Sequence, residues 1–272
     1  MKFSKIHGLG NDYIYADATK YNIDNPSYLS KVLSNRHLGI GSDGLILLMK
    51  ATTNEADFKM RIFNADGSEA EMCGNGIRGL AKYIYENNYS KKDKLKIETN
   101  CGIKELKLDI KGNEVKNVTV DMGEIKYTFK GEIVIDNQYF KFISISVGNP
   151  HCVIFTDNIQ NLDLKKIGSL IENNPIFPNK TNVEFIQMID KDNILMRVWE
   201  RGSGETLACG TGATASVVAG YLDDKLNSSC KVHLKEGILT IYFNKETNHA
   251  FLTGVVTHVF DGEIDIKKLI KN

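Results

Sequence analysis

Two cysteines sit in nearly the same run of residues, Met72-Cys73-Gly74-Asn75-Gly76 and Ala208-Cys209-Gly210-Thr211-Gly212. They lie 209 − 73 = 136 residues apart, half of the 272-residue chain. A cysteine directly before a helix meets unpaired backbone N–H groups and the positive end of the macrodipole, both of which favour the thiolate. A free thiol with a pKa near 8.5 is about 3% ionised at pH 7, and a dipole effect of about 1–2 kcal/mol lowers that pKa by about one unit. Each thiol is therefore expected to be poised near neutrality. Two facing thiols share one charge, because a second thiolate nearby is disfavoured. One thiolate and one thiol make a base and an acid for opposite faces of one carbon, so the expectation is a single active site where the two halves meet.

The flanking glycines extend this chemistry. Gly74, Gly76, Gly210 and Gly212 permit close backbone approach, so N–H groups at both helix starts can hold a substrate carboxylate while its α-carbon is deprotonated. A lone Cys-Gly before a helix reads as a buried small residue in a tight turn. Its repetition in frame favours catalysis: Met60-Arg61-Ile62-Phe63 aligns on Met196-Arg197-Val198-Trp199, and Glu69 falls on Glu205. Cys101, Cys152 and Cys230 lack such a context and read as packing, and none of His7, His37, His233, His249 and His258 reads as a catalyst.

The elements that must carry these turns are mostly strands. Every second residue is apolar in Glu105-Leu106-Lys107-Leu108-Asp109-Ile110, and Phe140 to Val147 alternates similarly. Helical patterns run from about Pro26 to Ser34, Gly74 to Asn87, Leu164 to Asn173 and Gly210 to Asp224. The run from Gly210 to Gly220 is small or apolar on every side, and a helix without a polar face is enclosed. The expected class is α+β: two similar domains from an internal duplication, each a mostly antiparallel sheet curled around a central helix. The expected division is residues 1–114 carrying Cys73, joined by the last strand at about 261–272, and residues 115–260 carrying Cys209. The hinge is expected near Gly112 to Lys116.

Composition narrows the partner. With 34 basic and 34 acidic residues the net charge is zero, which favours neither nucleic acid nor an anionic membrane, so a small molecule is the expected ligand. No apolar run approaches the roughly 18 residues of a membrane span, and the start lacks a signal-peptide pattern, so a cytoplasmic location is expected. The five cysteines occur singly, without zinc-ligand spacing, so free thiols and no metal are expected.

Further motifs accompany the two turns in a fixed order. His7-Gly8-Leu9-Gly10-Asn11-Asp12, Asn64-Ala65-Asp66-Gly67-Ser68, Gly148-Asn149-Pro150-His151, Thr181-Asn182-Val183-Glu184-Phe185 and Trp199-Glu200-Arg201-Gly202 span the whole chain. In this order and spacing the sequence resembles the diaminopimelate epimerases, a cofactor-independent family similar to the proline racemases in fold and two-cysteine chemistry. The resemblance implies interconversion of L,L- and meso-diaminopimelate for lysine and peptidoglycan precursor synthesis, with no cofactor or metal, in a homodimer. It implies that Cys73 and Cys209 exchange the roles of proton donor and acceptor. Asn11, Asn64, Asn149, Asn182, Glu200 and Arg201 would bind substrate, Gly74-Asn75 and Gly210-Thr211 would hold the reacting carboxylate, and His151 and Glu200 would tune the site. Some members place a glutamine where this chain has Gly44.

The repeat adds a reading of its own. Asn11 pairs with Asn149, but Asn64 pairs with Glu200 and Ala65 with Arg201, so recognition of the substrate's non-reacting end is expected where the halves differ. Arg201 can grip a carboxylate and Glu200 can accept from an ammonium. Three rival readings stay open: a racemase of another amino acid, a hydrolase or transferase with one nucleophilic cysteine, and a non-catalytic amino-acid binding domain.

Overall fold

The computed structural model describes residues 1–270. The chain divides into two compact units, Met1–Val120 with the chain from Gly254 onward, and Asp121–Thr253. The first unit runs β1 (Lys2–Gly8), β2 (Asn11–Asp17), α1 (Pro26–Ser34), β3 (Gly44–Lys50), β4 (Phe58–Asn64), β5 (Glu69–Ala70), α2 (Gly74–Glu86), β6 (Lys94–Thr99), β7 (Gly102–Lys111) and β8 (Glu114–Glu124). The second runs β9 (Lys126–Ile135), β10 (Gln138–Ser146), β11 (Pro150–Phe155), α3 (Leu164–Glu172), β12 (Asn182–Met188), β13 (Asn193–Glu200), β14 (Gly204–Thr206), α4 (Gly210–Leu222), β15 (Ser229–Leu234), β16 (Gly237–Asn244) and β17 (His249–Val255). The chain then returns to the first unit as β18 (Thr257–Glu263) and the short helix α5 (Ile266–Ile270).

The pairing patterns of the two units are copies. In the first, β18, β1 and β2 pair antiparallel, β2 lies parallel to β3, β3 pairs antiparallel with β4, and β4 lies parallel to β6. In the second, β9, β10 and β11 pair antiparallel, β11 lies parallel to β12, β12 pairs antiparallel with β13, and β13 lies parallel to β15. Even an irregularity recurs: the β1–β18 register slips between Lys5 and Ile6, and the β10–β9 register slips between Ser144 and Ile145, an offset of 145 − 6 = 139. By position, β18 fills in the first unit the place that β9 fills in the second.

Each long helix lies inside its own sheet. α2 is buried from Gly74 through Tyr85 and touches β1, β2, β3, β4 and β7, strands from both ends of the pairing order. α4 touches β10, β11, β12, β15 and β16 in the same way. Its all-round run of small and apolar side chains is what permits this enclosure, with each fully buried Val217 or Val218 contributing about 1.5–3 kcal/mol. The shorter helices lie on the outer faces. α1 starts on the Asn25 cap with Pro26 in its first turn and packs Leu29 and Leu33 against Ile14, Leu45 and Phe63; α3 starts on the Asp163 cap and adds Leu164 and Ile171 to a core with Phe142, Cys152 and Phe185. Strand side chains therefore alternate between two cores. In β2, Ile14 and Ala16 join the α1 core, while the Tyr15 hydroxyl donates to the Gly76 carbonyl of α2 at 3.1 Å.

The expected hinge around residues 112–116 is the tight turn of the β7–β8 hairpin, closed by Lys111 opposite Glu114 with Gly112 at φ 66°. The units divide after Val120 because β8 stays paired to β7 as far as Leu106 opposite Val120. Of the expected returning segment at about 261–272, residues 271 and 272 lie outside the described residues. Among the described residues no helix is long and apolar enough to cross a membrane.

Candidate active site

In the first unit the strand β4, the short β5 and the turn after it deliver the chain to Cys73, which caps α2 from an extended conformation (φ −138°, ψ 121°). Its sulfur accepts the Gly76 N–H at 3.4 Å and receives the Tyr13 hydroxyl at 3.6 Å. The Cys73 thiol in turn donates to Oδ1 of Asn11, at the start of β2, at 3.5 Å. The orientation of that amide is fixed from both sides. Its Nδ2 donates to Asp43 at 2.8 Å, and its Oδ1 accepts Asn75 Nδ2 at 3.3 Å. Asn75 is held in turn by Arg78, whose guanidinium donates to Asn75 Oδ1 at 2.9 Å and to the Gly74 carbonyl at 3.0 Å. Because Arg78 can only donate and an ionised Asp43 can only accept, the two amides between them have one consistent orientation.

The second unit builds its turn differently. Cys209 caps α4 (φ −122°, ψ 111°) and accepts the Gly212 N–H at 3.4 Å, the counterpart of the Cys73–Gly76 contact. Thr211 Oγ1 lies 3.4 Å from the sulfur and accepts Asn149 Nδ2 at 3.4 Å. Behind Asn149 stands His151, with Nε2 3.0 Å from Asn149 Oδ1 and Nδ1 2.7 Å from Glu184 Oε1. Both partners of that His–Glu pair have fully buried side chains. Glu200, at the end of β13, accepts the Thr206 hydroxyl, and burial raises its carboxyl pKa.

The expectation of a thiol poised near neutrality does not hold at Cys209. Burial pushes this thiol well up, and the Glu200 and Glu184 carboxylates push it further. The bonds from Thr211 and the Gly212 N–H act the other way and are outweighed. A helix terminus is worth about one pKa unit, whereas full burial can shift an ionisable group by roughly 3–5.

Asn64 ends β4, where its amide donates to Ser68 Oγ at 3.0 Å and its carbonyl accepts the Ser30 hydroxyl at 2.8 Å. Asn182 opens β12, donates to the Pro150 carbonyl at 2.9 Å and accepts the Arg201 N–H at 2.9 Å, so its amide fastens two strand ends. The Arg201 side chain is exposed and donates to the Asn179 carbonyl at 3.1 Å. Gly210 starts α4, and its carbonyl accepts the Thr214 hydroxyl at 2.9 Å. At Gly44 a Cβ would lie 2.2 Å from the Phe63 carbonyl oxygen and 3.0 Å from the Tyr13 ring, so this backbone has no room for a side chain there. Cys152 and Cys230 are buried as packing residues, but Cys101 is exposed in the β6–β7 turn.

Sequence reasoning did not single out Tyr13, Asp43, Arg78 and Glu184. The duplication carried a signal for three of them: Tyr13 aligns with His151 and Ile46 with Glu184 at an offset of 138, and Arg78 with Thr214 at 136. Among the described residues no three His, Cys, Asp or Glu side chains group as metal ligands.

The family model described as diaminopimelate epimerase matches residues 3–128 and 143–259. A diaminopimelate epimerase from Methanococcus maripaludis is 48% identical over 98% of this chain and 100% of its own length, and one from Bacteroides thetaiotaomicron is 49% identical over 97% and 98%. Among solved structures, a phenazine biosynthesis protein of the PhzF family from Bacillus anthracis has a TM-score of 0.74 at 16% identity, covering 98% of this chain and 99% of its own. A hydroxyproline epimerase from Agrobacterium vitis has a TM-score of 0.71 at 14% identity over 98% and 92%, and at such identities both likenesses show the fold alone. By its duplicated, cysteine-capped architecture and its near-full-length relatives, the chain belongs to the diaminopimelate epimerase family.

Proposed function

We propose that this protein is an isomerase that interconverts L,L- and meso-diaminopimelate by proton transfer at one α-carbon, in lysine and peptidoglycan precursor synthesis. The observation that carries this reading is the duplicated turn: Cys73 and Cys209 each cap a 13-residue helix, and each sulfur takes the N–H of the third residue along. One thiolate removes the α-hydrogen as a proton, forming an S–H bond as the C–H bond breaks. The opposing thiol gives up its proton to the other face of that carbon, forming the new C–H bond, and the negative charge ends on the second sulfur. No electrons or groups are exchanged with any other reactant.

The backbone N–H groups at Gly74-Asn75 and Gly210-Thr211 would bind the reacting carboxylate and stabilise the charge developing beside it. Asn11, Asn64, Asn149, Asn182, Glu200 and Arg201 would bind the remaining polar groups, with the unequal pair Asn64 and Glu200 choosing the substrate. His151 would tune the Cys209 side through Asn149 and Thr211. We propose a homodimer working in the cytoplasm. Solvent deuterium exchange at the substrate α-carbon, run with L,L-diaminopimelate and a panel of other amino acids, tests the reading. Exchange with epimerisation of diaminopimelate is expected, and exchange confined to another amino acid would overturn the substrate assignment.

A further inference from the structure

The two cysteine turns have opposite electrostatic surroundings, and the largest difference is Arg78. Its side chain is fully buried, yet its hydrogen bonds go only to neutral acceptors, the Gly74 carbonyl and Asn75 Oδ1, and Nε has no partner. Among the described residues it makes no ion pair with a carboxylate. A buried guanidinium without a counter-charge is strongly disfavoured. Burial lowers its pKa to about 10, which leaves it protonated at neutral pH, and the ionisable groups whose charge acts on it are Cys73 and Tyr15. The Tyr15 phenol is pushed well up by burial and stays neutral.

The other groups around Cys73 fit the same assignment. From β2 the Tyr13 hydroxyl donates to the sulfur, and from α2 the Gly76 N–H does. The Asp12 carboxylate is paired with Lys5 of β1 and with Arg36, and Asp43 is paired with Arg36. His7 of β1 accepts the Gly10 N–H, Glu71 on the preceding loop is exposed, and the floor under Gly76 is Ile46 of β3 and Ile62 of β4, both apolar. A protonated Cys73 can donate to Asn11 Oδ1 at 3.5 Å, but that acceptor also receives Asn75 Nδ2 at 3.3 Å and is shared between the two. In the second unit Thr214 replaces the arginine, the Glu184 and Glu200 carboxylates act on Cys209, and the nearby histidine, His151, is paired with Glu184.

We infer that Arg78 is a positioning residue for Cys73: its buried guanidinium takes the Cys73 thiolate as counter-charge, so in the substrate-free protein the negative charge of the thiol pair rests on Cys73 and the proton on Cys209. The inference rests on the two-thiol reading above and names its resting state.

Iodoacetamide labelling of the whole protein across the neutral to alkaline range, with each cysteine followed by peptide mass spectrometry, tests it. The labelling midpoint of Cys73 is expected at least about one pH unit below that of Cys209. Arg78→Met is expected to raise the Cys73 midpoint by about one unit, slowing its labelling at neutral pH about tenfold, with the Cys209 midpoint unmoved. Arg78→Lys restores most of the shift, which a purely structural role for Arg78 would not produce. Equal or inverted midpoints in the unmodified protein overturn the inference, as does a folded Arg78→Met protein with an unmoved Cys73. If Arg78→Met does not fold, the order of the two midpoints in the unmodified protein decides alone. Substrate deuterium exchange together with inverted midpoints would sink this inference and leave the epimerase reading standing; absence of exchange would remove that reading itself.

Discussion

The turn at Cys73 and the turn at Cys209 share a backbone and differ in nearly everything charged. Cap conformation, helix length and the N–H on sulfur are repeated. Beneath the first turn lie Ile46 and the cation of Arg78; beneath the second lie Glu184, His151 and, in place of the arginine, Thr214. Duplication supplies two stereochemically equivalent positions, and divergence of the side chains below them makes those positions electrostatically unequal. Two identical coupled thiols divide a proton evenly, so in the proposed two-thiol reaction this inequality decides where the proton rests.

Removing the part that the two turns share has the largest consequence. Cys73→Ala and Cys209→Ala are each expected to lower epimerisation by about 10²–10⁴-fold, the usual scale for a lost general acid or base. Full turnover by either variant would end the two-base assignment. Next in size are the unequal floors. Glu184→Ala leaves the buried His151 Nδ1 without its partner and opens a cavity, and is expected to cost about 3 kcal/mol, whereas Ile46→Val at the matching position costs about 1 kcal/mol. Urea unfolding measures both, and equal losses would mean that the floors are energetically alike.

The glycines above the two floors have smaller effects of the same kind. A Cβ at Gly212 would lie 2.6 Å from Glu184 Oε1, and one at Gly76 would lie 2.7 Å from the Cδ1 methyl of Ile46. Gly212→Ala is expected to cost about 2–3 kcal/mol and Gly76→Ala about 1 kcal/mol, because a methyl end can yield and a carboxylate locked to an imidazole cannot. The reverse order in urea midpoints would refute that account.

The two units also differ in pH dependence. Burial raises the thiols of Cys209, Cys152 and Cys230 in the second unit, the last to about 12. A raised thiol favours the protonated fold, so this stability is complete below the unfolded value of about 8.5 and is lost as pH climbs through the folded values. In the first unit burial pushes Asp12 and Asp17 up, but Arg36 and Lys5 on one, and Thr19, Tyr89 and Lys20 on the other, outweigh it and hold both low. Their contribution is complete above the unfolded value of about 3.9 and is lost on acidification. The single tryptophan, Trp199, lies in the second unit, so its fluorescence-detected urea midpoint should fall between about pH 8.5 and 10. A flat midpoint over that range would contradict the shifts.

Local features were the legible part of this molecule. Helices α1 to α4 start where the sequence places them, because Asn25-Pro26, Asp163 and the two Cys-Gly turns are terminal signals in themselves. The enclosure of α4 was readable from side-chain size alone. The parallel pairing of β2 with β3 and of β11 with β12 was not, since it is set by contacts between residues distant along the chain. The electrostatics of the site were hidden for the same reason. Nothing adjacent to Cys209 announces burial or the Glu184 carboxylate, whereas Arg78, five residues after Cys73, was in view and its burial was not.

β18 closes the first unit with the last stretch of the chain, and this has a bearing on synthesis. The Met1 amine donates to the Ile264 carbonyl at 2.6 Å, the Ile264 N–H returns to the Met1 carbonyl at 2.9 Å, and Ser4 bonds Asp261 at 2.6 Å. Until those residues leave the ribosome, β1 keeps an unpaired edge open to stray strands. At about 5–20 residues per second, the interval between β1 and β18 is roughly 13–50 s, long enough for the uninterrupted second unit to fold first. The outer edge of β1 is thus covered only when β18 emerges, long after β1 itself has been made.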